Sequence, residues 1–149
     1  MSELVVGPGV MSFRLPAPPP SINAIYQIMF ALRRIELKPE VRLYKNNMKM
    51  YVPGWTVERS DKIEFSMEVV DDWYFKNGNF KKCDVQNMMK IVIDLIAEKQ
   101  GWDDSQVWNF SARKKHSEQE RCVNVVLRKL ALPSHKENKI EPSGVGVEG

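Results

Sequence analysis

The stretch Lys81-Lys82-Cys83-Asp84-Val85-Gln86-Asn87-Met88-Met89-Lys90 runs from two cations into an acid, then into amides and a further cation. Shortly after it comes a second acidic group, Trp102-Asp103-Asp104-Ser105-Gln106-Val107, and then the basic triplet Arg113-Lys114-Lys115. Carboxylates gathered at one place and ringed with cations suit hard divalent ions and phosphates. Oxygens of such acids would hold Mg²⁺ or Mn²⁺, and the lysines would neutralise a phosphodiester backbone. A plainer reading of the same residues stands beside this one. Asp84 would be an ordinary helix N-cap, and Lys90 with Asp94 an exposed i,i+4 pair. Adjacent Asp103 and Asp104 repel each other, so they need a cation, a capping role or full exposure. Spacing alone does not bring the two acidic groups together.

The elements that must position these residues follow from periodicity. Residues 85–99 form the clearest helix: Val85, Met88, Met89, Val92, Leu95, Ile96 and the stem of Lys99 share one face, with Gly101 as the stop. Gln86, Asn87, Lys90 and Asp94 fall on the opposite arc. Ile63, Phe65, Met67 and Val69 alternate with Glu64, Ser66 and Glu68, the pattern of a half-buried strand. A second helix is predicted to open at Pro39, carrying Val41, Tyr44, Met48, Tyr51 and Val52, and to end at Pro53-Gly54. Strands are predicted over 10–15, 107–115 and 121–130, with a possible further strand near 33–37. The sum is an α+β fold, one small mixed sheet with two main helices. Residues 1–9 read as a flexible leader, 10–130 as the domain and 131–149 as a disordered tail.

At 149 residues, 43% hydrophobic and 28% charged, the chain has the balance of an ordinary globular domain able to bury a core. A net charge of +3 permits a nucleic-acid partner without demanding one. Cys83 and Cys122, with His116 and His135, lack the spacing of a zinc site and do not require a disulfide, which fits a reducing cytoplasm. The N-terminal segment lacks the pattern of a signal peptide, and no apolar run is long enough to span a membrane.

Asp84-Val85-Gln86-Asn87 followed by Lys90 and Asp94, then Trp102, Asp103-Asp104, Gln106-Val107 and Lys114, is similar to the RusA-type Holliday-junction resolvases, whose pattern is D-[LV]-D-N-x-x-K-x-x-x-D and then W-x-D-D-x-Q-V. Pro19-Pro20-Ser21-Ile22-Asn23 through Tyr26 resembles that family's opening, and Pro39 to Tyr44 resembles its first helix. The likeness covers roughly residues 11–130. It implies a homodimeric, Mg²⁺- or Mn²⁺-dependent endonuclease that grips four-way DNA junctions and nicks symmetry-related strands. By position, Asp84 and Asp104 would bind metal with help from Asp103, and Lys90 would stabilise the scissile phosphate. Asn87 and Asp94 would support the site, and Lys81, Lys82, Arg113, Lys114 and Lys115 would attract DNA.

One position departs. Gln86 stands where the family has a second aspartate, so it offers an oxygen ligand without charge. Three accounts follow: metal held by Asp84, Asp104 and Asp103; a preference for Mn²⁺; or a junction binder that cuts poorly or not at all. A plain interaction module is a third class of function. Among the aromatics, Trp102 and Trp108 read as core anchors, while Trp73 and Phe80 are candidates for stacking on bases. Cys83 reads as a small filler.

Overall fold

A computed structural model describes residues 4–21, 26–29 and 33–131. The predicted tail from 132 onward and Ile22-Asn23 of the proline-rich opening lie outside these described residues.

The main sheet is built from β1 (Val5–Val6), β2 (Val10–Leu15), β5 (Lys62–Asp71), β6 (Val107–His116) and β7 (Cys122–Leu130), in the order β1-β2-β7-β5-β6. The hairpin β3 (Tyr26–Met29) with β4 (Arg34–Leu37) stands apart as its own two-stranded sheet. Pairing is antiparallel except between β5 and β6, which run parallel. Val5 and Val6, expected within a loose leader, pair with Ser12 and Met11.

Strand alternation sorts the two faces. Met11, Phe13 and Leu15 lie opposite Leu127, Val125 and Val123, which in turn lie opposite Phe65, Met67 and Val69; all nine are buried. Helices α1 (Pro39–Met48) and α2 (Val85–Gln100) cover that face with Val41, Tyr44, Met48, Met88, Met89, Ile91, Val92, Leu95 and Ile96. The other face is polar, with Ser66 against Ser111, Arg113 on Glu68, and Glu68 in turn accepting from Asn124. Among the described residues, no helix is long and apolar enough to cross a membrane.

Parallel neighbours need a long return, and α2 supplies it between β5 and β6. The helix opens on the Asp84 carboxylate, which accepts from the Gln86 N–H at 2.9 Å. It closes at Gly101, whose φ of 79° is the left-handed conformation glycine adopts without strain. Its buried Met88, Met89, Ile91, Val92, Leu95 and Ile96 contribute about 1.5–3 kcal/mol each, against about 0.3–0.5 kcal/mol for an exposed ion pair along the helix. Packing therefore holds α2. Lys99, expected to lie its stem along the apolar stripe, is exposed and donates to the Lys49 carbonyl at 3.1 Å.

The expected Lys90–Asp94 pair is not the one that forms. Lys45 of α1, only 7% exposed, reaches both Asp94 and Glu98 of α2 at 2.6 Å. Burial alone would lower the Lys45 pKa, but the two carboxylates outweigh it and raise it. Its charge is thus kept, and the stabilisation persists at neutral pH. It is lost only as pH rises through the elevated lysine range. Both acids are about half exposed, so the value is modest. Lys45→Ala should leave two like charges one turn apart, cost about 1–2 kcal/mol and lower the thermal midpoint by about 5 °C. A midpoint equal to that of the unaltered protein would show that the lysine does not join the helices.

Candidate nucleic-acid interface and acidic ends

The βαβ crossover decides where the acids lie. Since β5 and β6 run parallel and α2 returns between them, the start of α2 lies at the ends of those strands and its finish at their beginnings. The helix has 16 residues, so at 1.5 Å per residue its ends are about 24 Å apart. Asp84 stands at one end and Asp103-Asp104 at the other. The convergence that a single-chain metal pocket would need does not occur, and among the described residues no group of three or more His, Cys, Asp or Glu gathers to hold a metal. The physical cause is the length of a rigid helix between two loops.

The Asp84 end is basic. Trp73 plugs it: its indole N–H donates to the carbonyls of Val69 and Lys115 at 3.2 and 3.1 Å, and its backbone N–H donates to His116 Nδ1. Burial to 7% exposure removes Trp73 as a stacking platform and makes it the peg that fixes the loop before Asp84. The Lys114 ammonium sits 4.8 Å from its ring centre. The Lys81 N–H donates to the Trp73 carbonyl, which brings Lys81 and Lys82 beside the end of β6. Arg113, expected to attract DNA, is paired with Glu68 at 2.9 Å. Gln86 and Lys90 are exposed along α2, and Asn87 is half-buried.

Ser21 of the proline-rich opening donates to the Cys83 sulfur at 3.1 Å, and Cys83 packs against the core. A segment sixty residues upstream thereby braces the residue before Asp84, a contact that no local pattern signals.

At the far end, most of the second acidic motif has structural work. Trp102 is buried, and its indole N–H donates to Gln100 at 2.7 Å. Asp103 caps a short 3₁₀ turn over Asp104–Gln106, accepting from the Ser105 N–H at 2.9 Å. Gln106 returns the favour to the Asp103 N–H and staples the turn to the Glu58 and Asp61 carbonyls. Asp104 is left exposed beside Asp103. The Ser105 N–H holds the Asp103 carboxyl below the ordinary range, while the hydrogen bond with Asp103 and then partial burial push Asp104 above it. Trp108, expected in the core, is 61% exposed with the Lys62 ammonium 4.0 Å over its ring. The register shift between Ile63 and Glu64 opposite Val107 and Asn109 takes it out of the alternation.

The family profile described as endodeoxyribonuclease RusA matches residues 16–128. The chain belongs to the RusA endodeoxyribonuclease family. That match spans the hairpin, both helices and all of β5 and β6, so the motifs at both ends of α2 fall within it. DNA is accordingly the substrate class of this RusA-family chain. No curated protein matches the sequence at a significant level.

The shared hydrogen bond of the acidic pair has a measurable consequence. Asp103→Asn should remove the neighbouring charge and return the Asp104 carboxyl toward its ordinary range, read by carboxyl-carbon NMR titration. An unmoved Asp104 would mean that burial, not Asp103, raises it.

Proposed function

We propose that the protein is a Holliday-junction endonuclease that acts as a homodimer, with each cutting site assembled from two copies. The observation that carries this reading is the placement of Asp84 and Asp104 at opposite ends of α2. One chain cannot complete an acidic site, whereas two copies related by a two-fold axis can. A four-way junction offers matching symmetry.

The sheet suggests how. Strand β6 is its free edge, paired only with β5 among the described strands, and it exposes Trp108 and Phe110. Two β6 edges laid antiparallel would reverse one copy against the other. The Asp84 end of the first would then share a side with the Asp104 end of the second. A register centred on Ala112 sets Phe110 opposite Lys114, Ser111 opposite Arg113 and Asn109 opposite Lys115, so no cation faces a cation.

One chain does not fit a Mg²⁺ or Mn²⁺ centre, since its acids are separated. Asp84 from one copy with Asp104 and Asp103 from the other, and the Gln86 carbonyl as a neutral oxygen, have the oxygen chemistry such an ion takes. When bound, the cation would supply Lewis-acid activation for phosphodiester hydrolysis. Lys90 lies six residues into α2, about 9 Å along the axis from Asp84, and helical side chains lean toward the N-terminus. From that position its long side chain can reach toward the Asp84 end, where it would stabilise charge on the scissile phosphate. Lys81, Lys82, Lys114 and Lys115 draw the backbone in without reading sequence.

Mixing two disabled variants tests the assembly. Asp84→Asn and Asp104→Asn should each abolish nicking of a synthetic four-way junction with Mg²⁺ or Mn²⁺. Co-refolded together, they yield a heterodimer with one intact Asp84–Asp104 pair, and single-strand nicks should return. If each site lay within one chain, no mixture would cut.

Gln86 favours a second reading, a branched-DNA binder with little or no cleavage. Gln86→Asp should then raise the Mg²⁺-dependent rate by about tenfold or more, because a charged ligand is restored. Unchanged kinetics would place position 86 outside the site.

A further inference from the structure

We infer that the hairpin formed by residues 73–81 is a nucleobase-binding tip, which takes an unpaired base of the bound DNA between Phe75 and Phe80. This rests on the reading of the protein as a branched-DNA nuclease and adds to it how the branch point is held.

The tip is a built element. Tyr74 and Phe80 form an antiparallel bridge, the Phe75 N–H donates to the Asn79 carbonyl at 2.7 Å, and the Gly78 N–H donates to the Phe75 carbonyl at 3.0 Å. The Asn77 side chain accepts from the Asn79 N–H at 3.0 Å, and Gly78 has a φ of 89°, which suits a tight reversal. At its base, buried Trp73 is pegged to β5 and β6, and the Tyr74 ring meets His116 edge-on with centroids 4.7 Å apart. Rigidity matters because a pre-set aromatic platform loses little entropy when a base lands on it.

What the tip presents is costly for a purely structural loop. Phe75 and Phe80 are 55% and 68% exposed, outside the core that every other phenylalanine except Phe110 among the described residues joins. With Asn77, Asn79 and Lys82 they line a hollow of about 650 Å³. The Lys81 ammonium lies 5.8 Å from the Phe75 ring. Two aromatic faces stack on any base, carboxamides can pair with base edges, and lysines neutralise the attached phosphates. The hollow opens immediately before Asp84 in the chain. A base lifted from the stack there would leave its flanking phosphate beside the acidic and basic groups of the proposed site. Paired DNA keeps its bases stacked, so the tip favours branch points and strand ends over plain duplex.

The test couples protein and base. Affinity for a four-way junction is measured at several salt concentrations for the unaltered protein and for the Phe75→Ala/Phe80→Ala variant, with an intact and an abasic branch point. The variant should bind the intact junction about tenfold more weakly, with an unchanged log–log salt slope, because no phosphate contact is lost. Removing the base should weaken the unaltered protein and leave the variant unaffected. Phe75→Leu/Phe80→Leu, which keeps apolar volume without the π faces, should behave like the alanine variant, and Phe80→Trp should bind at least as well as the unaltered protein. Equal affinity of the alanine variant and the unaltered protein, or equal sensitivity of both to the abasic site, overturns the inference. A fall from dimer to monomer in the alanine variant also overturns it, assigning the aromatics to a second copy. If the unaltered protein binds no junction, the nuclease reading itself falls, a result distinct from all of these.

Discussion

A single rigid spacer governs what this chain can do. Helix α2 bridges the parallel strands β5 and β6, and the residues with chemical potential are found just before it, along its exposed arc and just after it. Its length is fixed by hydrogen bonding at 1.5 Å per residue, and its position by an apolar face sunk into the sheet. Lys45 reaches across from α1 to Asp94 and Glu98 and fixes its last turns, and Gly101 ends it cleanly. Any account of activity must accept two separated ends.

That separation turns the exposed surfaces into a connected picture. The Asp84 end is pegged by Trp73, braced by Ser21 and lined with lysines, while the Asp104 end is stapled by Gln106 and carries the acidic pair. The free edge of β6 lies between them, with aromatic residues in its first half and cations in its second, which is self-complementary when reversed. Membership of the RusA family supplies the substrate class. The proposed pairing of two copies answers that separation, and its two-fold symmetry would match that of a DNA branch.

The motifs also divide by task once packing is known. In the first, Met88 and Met89 are core, Asp84 caps, and Gln86 and Lys90 face outward. In the second, Trp102 is core, Asp103 caps, Gln106 staples, and Asp104 remains. Much of each motif thus builds a helix end, and a few of its polar groups stay outward. The neighbouring hairpin follows the opposite rule, keeping Phe75 and Phe80 outside while burying Trp73 beneath them.

Periodicity determined the α+β class, the span of α2 and strands β2, β5, β6 and β7, because alternation and helical spacing are local consequences of which face is buried, while Pro39 and Gly101 marked the start of α1 and the stop of α2. Motif order, also a property of the chain alone, determined the family likeness. Tertiary structure decided what pairs with what. Lys45 rather than Lys90 takes Asp94; Trp73 is buried and Trp108 exposed; Ser21 meets Cys83. Each depends on contacts between residues far apart in sequence, or on one irregular strand pairing, which no local period encodes. The distance between Asp84 and Asp104 belongs to the same class: sequence spacing counts residues, whereas a helix converts them into length.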